Sequence, residues 1–230
     1  VRSGNLHGLK RAVEERGYRP STAVDSRGST PLLWAAGGGH LEMVRYLVEV
    51  CDCDPCQSQT GKRSFRGRTA LHWAARNGHP VVVTYLLSRA TGARGNDDDK
   101  PHETKTETET KATKDDNHAR SGQTHRRKPT LAEILEAKTQ DGTTAFGWAC
   151  WQRHLPVMEI LSAHGCDMHG VNSFGCSPVL WCSQGTDNGS GKDKGNDDDN
   201  DNTDKKRGVK ALKWLRSRGC NLTLVNHNGH

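Results

Sequence analysis

The stretch Gly67-Arg-Thr-Ala-Leu-His-Trp-Ala-Ala-Arg-Asn-Gly-His79 recurs with changes along this sequence, and its spacing predicts the fold. An upstream copy runs from Gly28 to His40, and downstream copies begin at Gly142 and Gly175, which are 33 positions apart. Each copy is typical of a tight turn followed by a short helix. A fixed period of about 20 to 50 residues indicates stacked supersecondary units, none of which can bury its apolar face alone.

A second apolar pattern follows the turn and helix. The apolar residues of Leu41–Val48 fall at i, i+3, i+6 and i+7, which places them on one face of a helix. The same spacing within Leu6–Val13 predicts that the chain opens with the second half of a unit. Thr30 and Pro31 predict the start of a first helix, because threonine caps helices and proline suits the first helical position.

The pattern Gly-x-Thr-Pro-Leu-His-x-Ala-Ala-x-x-Gly-His at this period resembles the ankyrin repeat. The resemblance covers most of the chain outside two polar insertions. It implies an all-α fold, an α-solenoid of helix–turn–helix repeats with β-turn fingers and two disordered insertions. The expected divisions are a partial repeat at 1–24, repeats at 25–60 and 61–93, an insertion at 94–130, a short linker helix at 131–138, a repeat at 139–171, a repeat at 172–225 interrupted by an insertion at 186–204, and the start of another repeat at 226–230.

Composition predicts that part of the chain does not pack. Only 32% of the residues are apolar and the mean hydropathy is −0.83, which is too polar for one compact globule of this size. Segments 94–130 and 186–204 are dominated by charged and polar residues, so they cannot bury enough apolar area to offset chain entropy. Tolerated loop expansion is the preferred interpretation, because loop length costs little entropy, and gating of the concave face or regulation through phosphorylated threonines such as Thr104 are the alternatives.

The eight cysteines predict a reducing compartment, cytoplasmic or nuclear. Four of them stand where the repeat needs a small buried residue, a role that a free cysteine fills well: Cys150, Cys166, Cys182 and Cys220. The spacing Cys51-x-Cys-x-x-Cys56 looks metal-like, but zinc takes four ligands and no second set follows nearby. We therefore expect no metal and no cofactor.

Several function classes find no support in the sequence. No nucleophile and base pair, catalytic carboxylate pair or cofactor loop is present, so we expect no enzymatic activity. No run approaches the roughly 18 apolar residues that a membrane span needs. The stretch begins at Val1, inside a repeat, so we expect it to belong to a longer chain. A regulatory or targeting region of a longer enzyme or channel is one alternative.

Histidines and tryptophans recur at fixed offsets. The resemblance implies structural, turn-fixing hydrogen bonds for the histidines, which are His40, His72, His79 and His154. One tryptophan per unit is interpreted as packing between neighbouring first helices, at Trp34, Trp73, Trp148 and Trp181. An exposed aromatic ladder that binds a ligand is the alternative.

The segment from Lys62 to Arg94 holds seven lysines or arginines and no aspartate or glutamate. Such a patch raises encounter rates with acidic partners. We therefore expect a monomeric, non-catalytic protein–protein interaction scaffold whose partner is a protein of unknown identity, with an acidic one fitting best. Nucleic-acid binding by this basic finger is the alternative. It is disfavoured because the acidic insertion around Asp197 would repel phosphate.

By the resemblance, the partner-facing positions are those that vary between repeats on the concave first-helix face and the finger tips. They are Ser26, Arg27, Ser29, Gly37, Gly38, Phe65, Arg66, Arg68, Arg76, Asn77, Gln140, Asp141, Thr143, Trp151, Gln152, Ser173, Phe174 and Gln184. The predicted binding surface comprises Arg27, Phe65, Arg66, Arg68, Arg76, Asn77, Gln140, Trp151, Gln152 and Phe174. We expect Phe65, Arg66, Arg68, Arg76 and Trp151 to contribute most, with Trp151 as an exposed anchor.

Overall fold

A computed structural model describes residues 3–61, 66–91, 129–184 and 200–223, without the side chains of 90, 91 and 200–205. Most of the insertion predicted at 94–130, residues 186–199 of the second insertion, the repeat start predicted at 226–230, and Phe65 lie outside these ranges. The described residues form helices and no strands. The helices are α1 (Leu6–Arg16), α2 (Pro31–Gly37), α3 (Leu41–Glu49), α4 (Ala70–Arg76), α5 (Pro80–Thr91), α6 (Leu131–Leu135), α7 (Ala145–Trp151), α8 (Leu155–Ala163), α9 (Pro178–Gln184) and α10 (Asn200–Ser217).

The helices form two rows. The first helices α2, α4, α7 and α9 each pack against the next in that order. Behind them, α3, α5, α8 and α10 each pack against the first helix of their own unit, and the short helix α6 packs against α5. Because each unit contacts mainly its neighbours, the predicted all-α solenoid is confirmed.

The first helices begin where the repeated sequence predicts. Thr30 Oγ1 accepts a hydrogen bond from the Leu33 backbone, and Pro31 takes the first helical position of α2. Thr144 caps α7 in the same way through the Gly147 backbone. These bonds satisfy amide groups that have no partner inside the helix.

Small side chains hold the first-helix row together. The alanine pairs of α2 and α4 are fully buried, and so are Cys150, which replaces the second alanine in α7, and Cys182, which replaces the first in α9. Small residues let neighbouring helices approach closely, so larger side chains there would separate the units. The four cysteines predicted to be buried are buried, and none of the eight cysteines forms a disulfide bond.

The finger of the second complete unit is longer than the others. In the first unit the backbone amide of Asp25 donates to Ser29, which closes the turn, and in the second unit Gln59 donates to Arg68 in the same way. Gln59 and Arg68 therefore take the places of Asp25 and Ser29, with more residues between them. Five more residues separate Gln59 from Arg68 than separate Asp25 from Ser29.

Asp25 organises the first finger with both carboxylate oxygens. Its Oδ1 accepts from the backbone amides of Arg27 and Ser29 at 2.8 and 2.9 Å, and its Oδ2 accepts from Trp34 Nε1 at 2.9 Å. We predict that Asp25→Ala lowers the free energy of unfolding by about 2 kcal/mol, because two amides and an indole lose their acceptor. Asp25→Asn should cost about half as much, since its Oδ1 retains the two amide bonds, as Asn172 Oδ1 does in the last finger. Urea denaturation measures both, and equal losses would contradict this account.

Helix α10 begins at Asn200, inside the segment 186–204 for which disorder is predicted. The prediction is wrong for residues 200–204. Helix formation is cooperative, so a packed turn around Ala211 and Leu215, both fully buried, extends the helix towards its N-terminus.

Candidate functional site

The face of the first-helix row carries one tryptophan per unit. All four are half-buried. Trp73 and Trp181 pack against the hydrophobic core, as the packing interpretation predicts, while Trp34 is held by its hydrogen bond to Asp25. Trp148 instead lies under two guanidinium groups. The tryptophans therefore belong to the face of the row as much as to its core.

Two arginines stack on two tryptophans between α4 and α7. The guanidinium carbon of Arg68 lies 5.3 Å from the ring centroid of Trp73 and 4.8 Å from that of Trp148. For Arg76 the same distances are 5.7 and 5.6 Å. All four distances are within the roughly 6 Å range of a cation–π contact. We call Arg68, Trp73, Arg76 and Trp148 the tryptophan–arginine cluster.

The cluster follows from two positions in the repeat. Arg76 stands three residues after Trp73, on the same face of α4. Arg68 stands at the finger position that Ser29 and Thr143 occupy in other units, where side chains point inwards. An arginine is too long to be enclosed there, so it reaches across the face to the tryptophan of the next unit.

Burial makes the two positive charges costly. It lowers the pKa of Arg76, and it is also the main cause that lowers the pKa of Arg68. The charge of Arg76 lowers the pKa of Arg68 further, while the carboxylate of Asp141 acts in the opposite direction. Two cations therefore share a partly desolvated site in which Asp141 supplies a compensating negative charge.

Three nitrogen donors in the cluster lack an acceptor. Trp73 Nε1, Trp148 Nε1 and Arg76 Nε are buried and find no hydrogen-bond partner among the described residues. The Arg76 side chain donates a long hydrogen bond from Nη1 to Asn77 Oδ1, at 3.5 Å. A buried donor left without an acceptor costs about 1 to 3 kcal/mol. The cluster is therefore rich in hydrogen-bond donors and poor in acceptors.

The predicted binding residues fall into two groups. The exposed ones are Arg27, Arg66, Asn77, Gln140 and Phe174, and the half-buried ones are Arg68, Arg76, Trp151 and Gln152. Phe65 lies outside the described residues. The prediction of surface positions is wrong for Ser29 and Thr143, each 5% exposed, because their hydroxyls accept hydrogen bonds from Gln59 and Asn172 of the following fingers.

Trp151 differs from its prediction as an exposed anchor. It is half-buried and packs on Trp181 of the next unit, with ring centroids 4.1 Å apart and ring planes tilted by 55°. Its position in α7 corresponds to that of Arg76 in α4, so both residues cover the tryptophan of the following unit.

Successive fingers are joined by backbone hydrogen bonds. The amide of Thr60 donates to Gly28, that of Gln140 donates to Arg66, and that of Ser173 donates to Asp141, at 3.2, 3.1 and 2.9 Å. The exposed tips of the four fingers are thereby held at fixed spacings. Among them is Phe174, of which 59% is exposed.

The recurring histidines connect neighbouring units. His79 Nε2 donates to the carbonyl of Gly37 at 3.0 Å, and His154 Nε2 donates to that of Arg76 at 3.1 Å. Each acceptor belongs to the first helix of the preceding unit, so the bonds join units as well as fixing turns. Burial lowers the pKa of His154, in keeping with a neutral ring that donates from one nitrogen.

His72 is held as one tautomer inside the stack. Its Nε2 lies 3.2 Å from the carbonyl oxygen of Thr143, which can only accept, so Nε2 carries the proton. Its Nδ1 accepts from the backbone amide of Thr69 at 3.2 Å. Burial lowers the pKa of His72 to about 4. The residue is structural, since it ties α4 to the next finger.

The described ranges hold neither a group of metal-binding side chains nor a helix that could span a membrane. No three His, Cys, Asp or Glu side chains there form a group that could hold a metal ion, and this includes Cys51, Cys53 and Cys56. None of the helices in these ranges is both long and apolar enough to cross a bilayer.

The sequence model of the family described as ankyrin repeats matches three copies within residues 1–99. Residues 1–99 therefore contain ankyrin repeats. The helix pairs of residues 139–184 continue the same stack beyond the matched region. No curated protein matches the chain. Ankyrin repeats are general protein–protein interaction modules and are in general non-catalytic.

The ankyrin repeat pattern locates the arginines of the cluster but assigns both tryptophans to packing alone. The spacing of three residues between Trp73 and Arg76 is a signal that could have joined them, because it places both on one helix face. The contacts to Trp148 cross between units separated by residues 92–128, so local spacing does not predict them.

Proposed function

We propose that this chain is a non-catalytic scaffold that binds an acidic protein partner through the concave first-helix face and the finger tips of its ankyrin repeats. The repeat family itself supports a protein partner. The basic composition of the segment around α4 supports an acidic one, since complementary charge speeds association.

The ladder of hydrogen-bonded fingers is the observation that carries this proposal. It holds Arg27, Arg66, Gln140 and Phe174 on successive tips, with backbone bonds between neighbours. A preorganised surface loses little conformational entropy when a partner docks. Three of these four side chains are charged or aromatic, residue types that form effective contacts at protein interfaces.

Nucleic acid is the less favoured ligand class. Single-stranded nucleic acids bind on exposed aromatic rings, whereas guanidinium groups cover Trp73 and Trp148. A cytoplasmic or nuclear site of action belongs to the same proposal, supported by eight cysteines that form no disulfide bond and of which six are buried.

The test begins with a partner recovered by proximity labelling and then purified. Its dissociation constant is measured for the wild type and for a finger variant that combines Arg27→Ser, Arg66→Ser and Phe174→Ser. We expect the finger variant to bind roughly tenfold more weakly or worse, because exposed charged and aromatic contacts are lost.

A matched control combines Lys213→Ser, Arg216→Ser and Val81→Ser, which removes two exposed cations and an exposed apolar side chain from second helices. This control should bind as the wild type does. Equal affinities for both variants, or a larger loss in the control, would place the partner elsewhere on the chain.

A further inference from the structure

We infer that the tryptophan–arginine cluster is the receptor for a carboxylate side chain, an aspartate or glutamate of the partner protein. This inference rests on the proposed function and names the chemistry of one contact within it. The charge and the hydrogen-bond donors of the cluster favour this occupant.

The first step is the chemistry of the donors. Arg76 Nε and the indole nitrogens of Trp73 and Trp148 all carry a proton, and all lack an acceptor among the described residues. A guanidinium presents a planar fork of donors that matches a carboxylate in two parallel hydrogen bonds. A ligand that supplies acceptors and no donors therefore fits this cluster.

The second step is the balance of charge. The positive charges of Arg68 and Arg76 act on each other, and Asp141 is the acidic group that acts on Arg68. The Asp141 carboxylate is itself held by the hydroxyls of Thr139 and Thr143. Arg76 forms no ion pair within the described ranges. A carboxylate ligand would place a further negative charge beside the two cations.

The third step is preorganisation. Two tryptophan faces hold the guanidinium of Arg76, and the backbone carbonyl of the same residue is fixed by His154. An arginine held in this way loses less side-chain freedom on binding than an exposed one. Because the site is half-buried, salt screens it less than it screens an exposed arginine such as Arg66.

The experiment uses a fluorescently labelled peptide in which glutamate alternates with serine, titrated into the whole chain. A peptide with glutamine in place of glutamate tests for the charge. We expect the glutamate peptide to bind and the glutamine peptide not to bind. Arg76→Gln should weaken binding roughly 30-fold or more, as expected when one side of a half-buried charge pair is removed.

Arg66→Gln is the matched control, because it removes the same charge from an exposed finger tip. It should weaken binding by less than about fivefold, and this loss should disappear at about 0.5 M salt. Arg76→Lys retains the charge without the planar fork and should still lose most of the binding. If circular dichroism shows that Arg76→Gln does not fold, the binding measured for Arg76→Lys replaces it in the test.

Three results would overturn the inference: no binding of the glutamate peptide, equal losses for Arg66→Gln and Arg76→Gln, or tighter binding of an oligonucleotide of equal charge that depends on Arg76. The first result would leave the proposed function standing if the finger variant still binds the recovered partner weakly. Normal partner binding by the finger variant would instead contradict the proposed function.

Discussion

Replacing Gly78 with alanine is expected to lower the free energy of unfolding by about 3 kcal/mol, through strain and overpacking together. Gly78 has a φ of +74°, a left-handed conformation that side chains other than glycine disfavour. A Cβ atom there would also lie 2.6 Å from the ring of His154, which is bonded to the Arg76 carbonyl. The His154 ring must shift, so the hydrogen bond that it makes to the preceding unit is lost. Urea denaturation gives the loss.

The chain itself supplies the control for this prediction. Arg153 takes the corresponding place in the next unit, also left-handed at a φ of +57°. Its side chain donates from Nε to the carbonyl of Cys182 at 3.1 Å. Arg153→Ala should therefore cost about 1 kcal/mol, the value of one hydrogen bond. A loss for Gly78→Ala no larger than this would show that the histidine contact does not hold the units together.

Lowering the pH from 6.5 to about 4 is expected to reduce the stability of the chain by about 3 kcal/mol through His72. Burial is the main cause that lowers the pKa of His72 from 6.5 to about 4. Smaller effects follow in decreasing order: the hydrogen bond to the Thr143 carbonyl raises the pKa of His72, the charge of Arg68 lowers it, and the charge of Asp141 raises it. Between pH 6.5 and about pH 4, His72 is protonated in the unfolded chain but neutral in the folded chain, so a fall in pH favours unfolding. The stability is therefore complete above pH 6.5 and is lost as the pH falls.

His72→Leu is the matching variant, because leucine fills the equivalent place in α2 and α9, at Leu33 and Leu180. It removes the titrating group, so the stability measured by urea denaturation should depend less on pH between 6.5 and 4. The variant should still lose some stability as the pH falls, because burial also lowers the pKa of His154. An unchanged slope in His72→Leu would mean that other groups cause the acid sensitivity.

The repeat pattern predicts the scaffold well because its causes are local. Helix caps such as Thr30 and buried pairs such as Ala74 and Ala75 depend on neighbours a few positions away, which the sequence displays directly. The N-terminal boundary of α10 is predicted wrongly because its cause is not local: packing around Leu215 extends the helix into a polar segment.

The candidate site is predicted less well because its contacts cross between units. Arg68 and Arg76 lie on the first-helix side, and their distances to Trp148 depend on how α4 and α7 stack. Trp151 fails as a free anchor because Trp181 of the next unit lies against it. Interpretation of single positions as exposed or buried does not account for side chains that reach across a whole unit.

The surface assignment is tested most directly by following the indole N–H signals of the six tryptophans by NMR while the glutamate peptide is added. The signals of Trp73 and Trp148 should move, because their buried donors gain an acceptor. The signal of Trp214, on the second helix α10, should stay in place. Movement of Trp214 without Trp73 and Trp148, or an unchanged spectrum, would contradict the account.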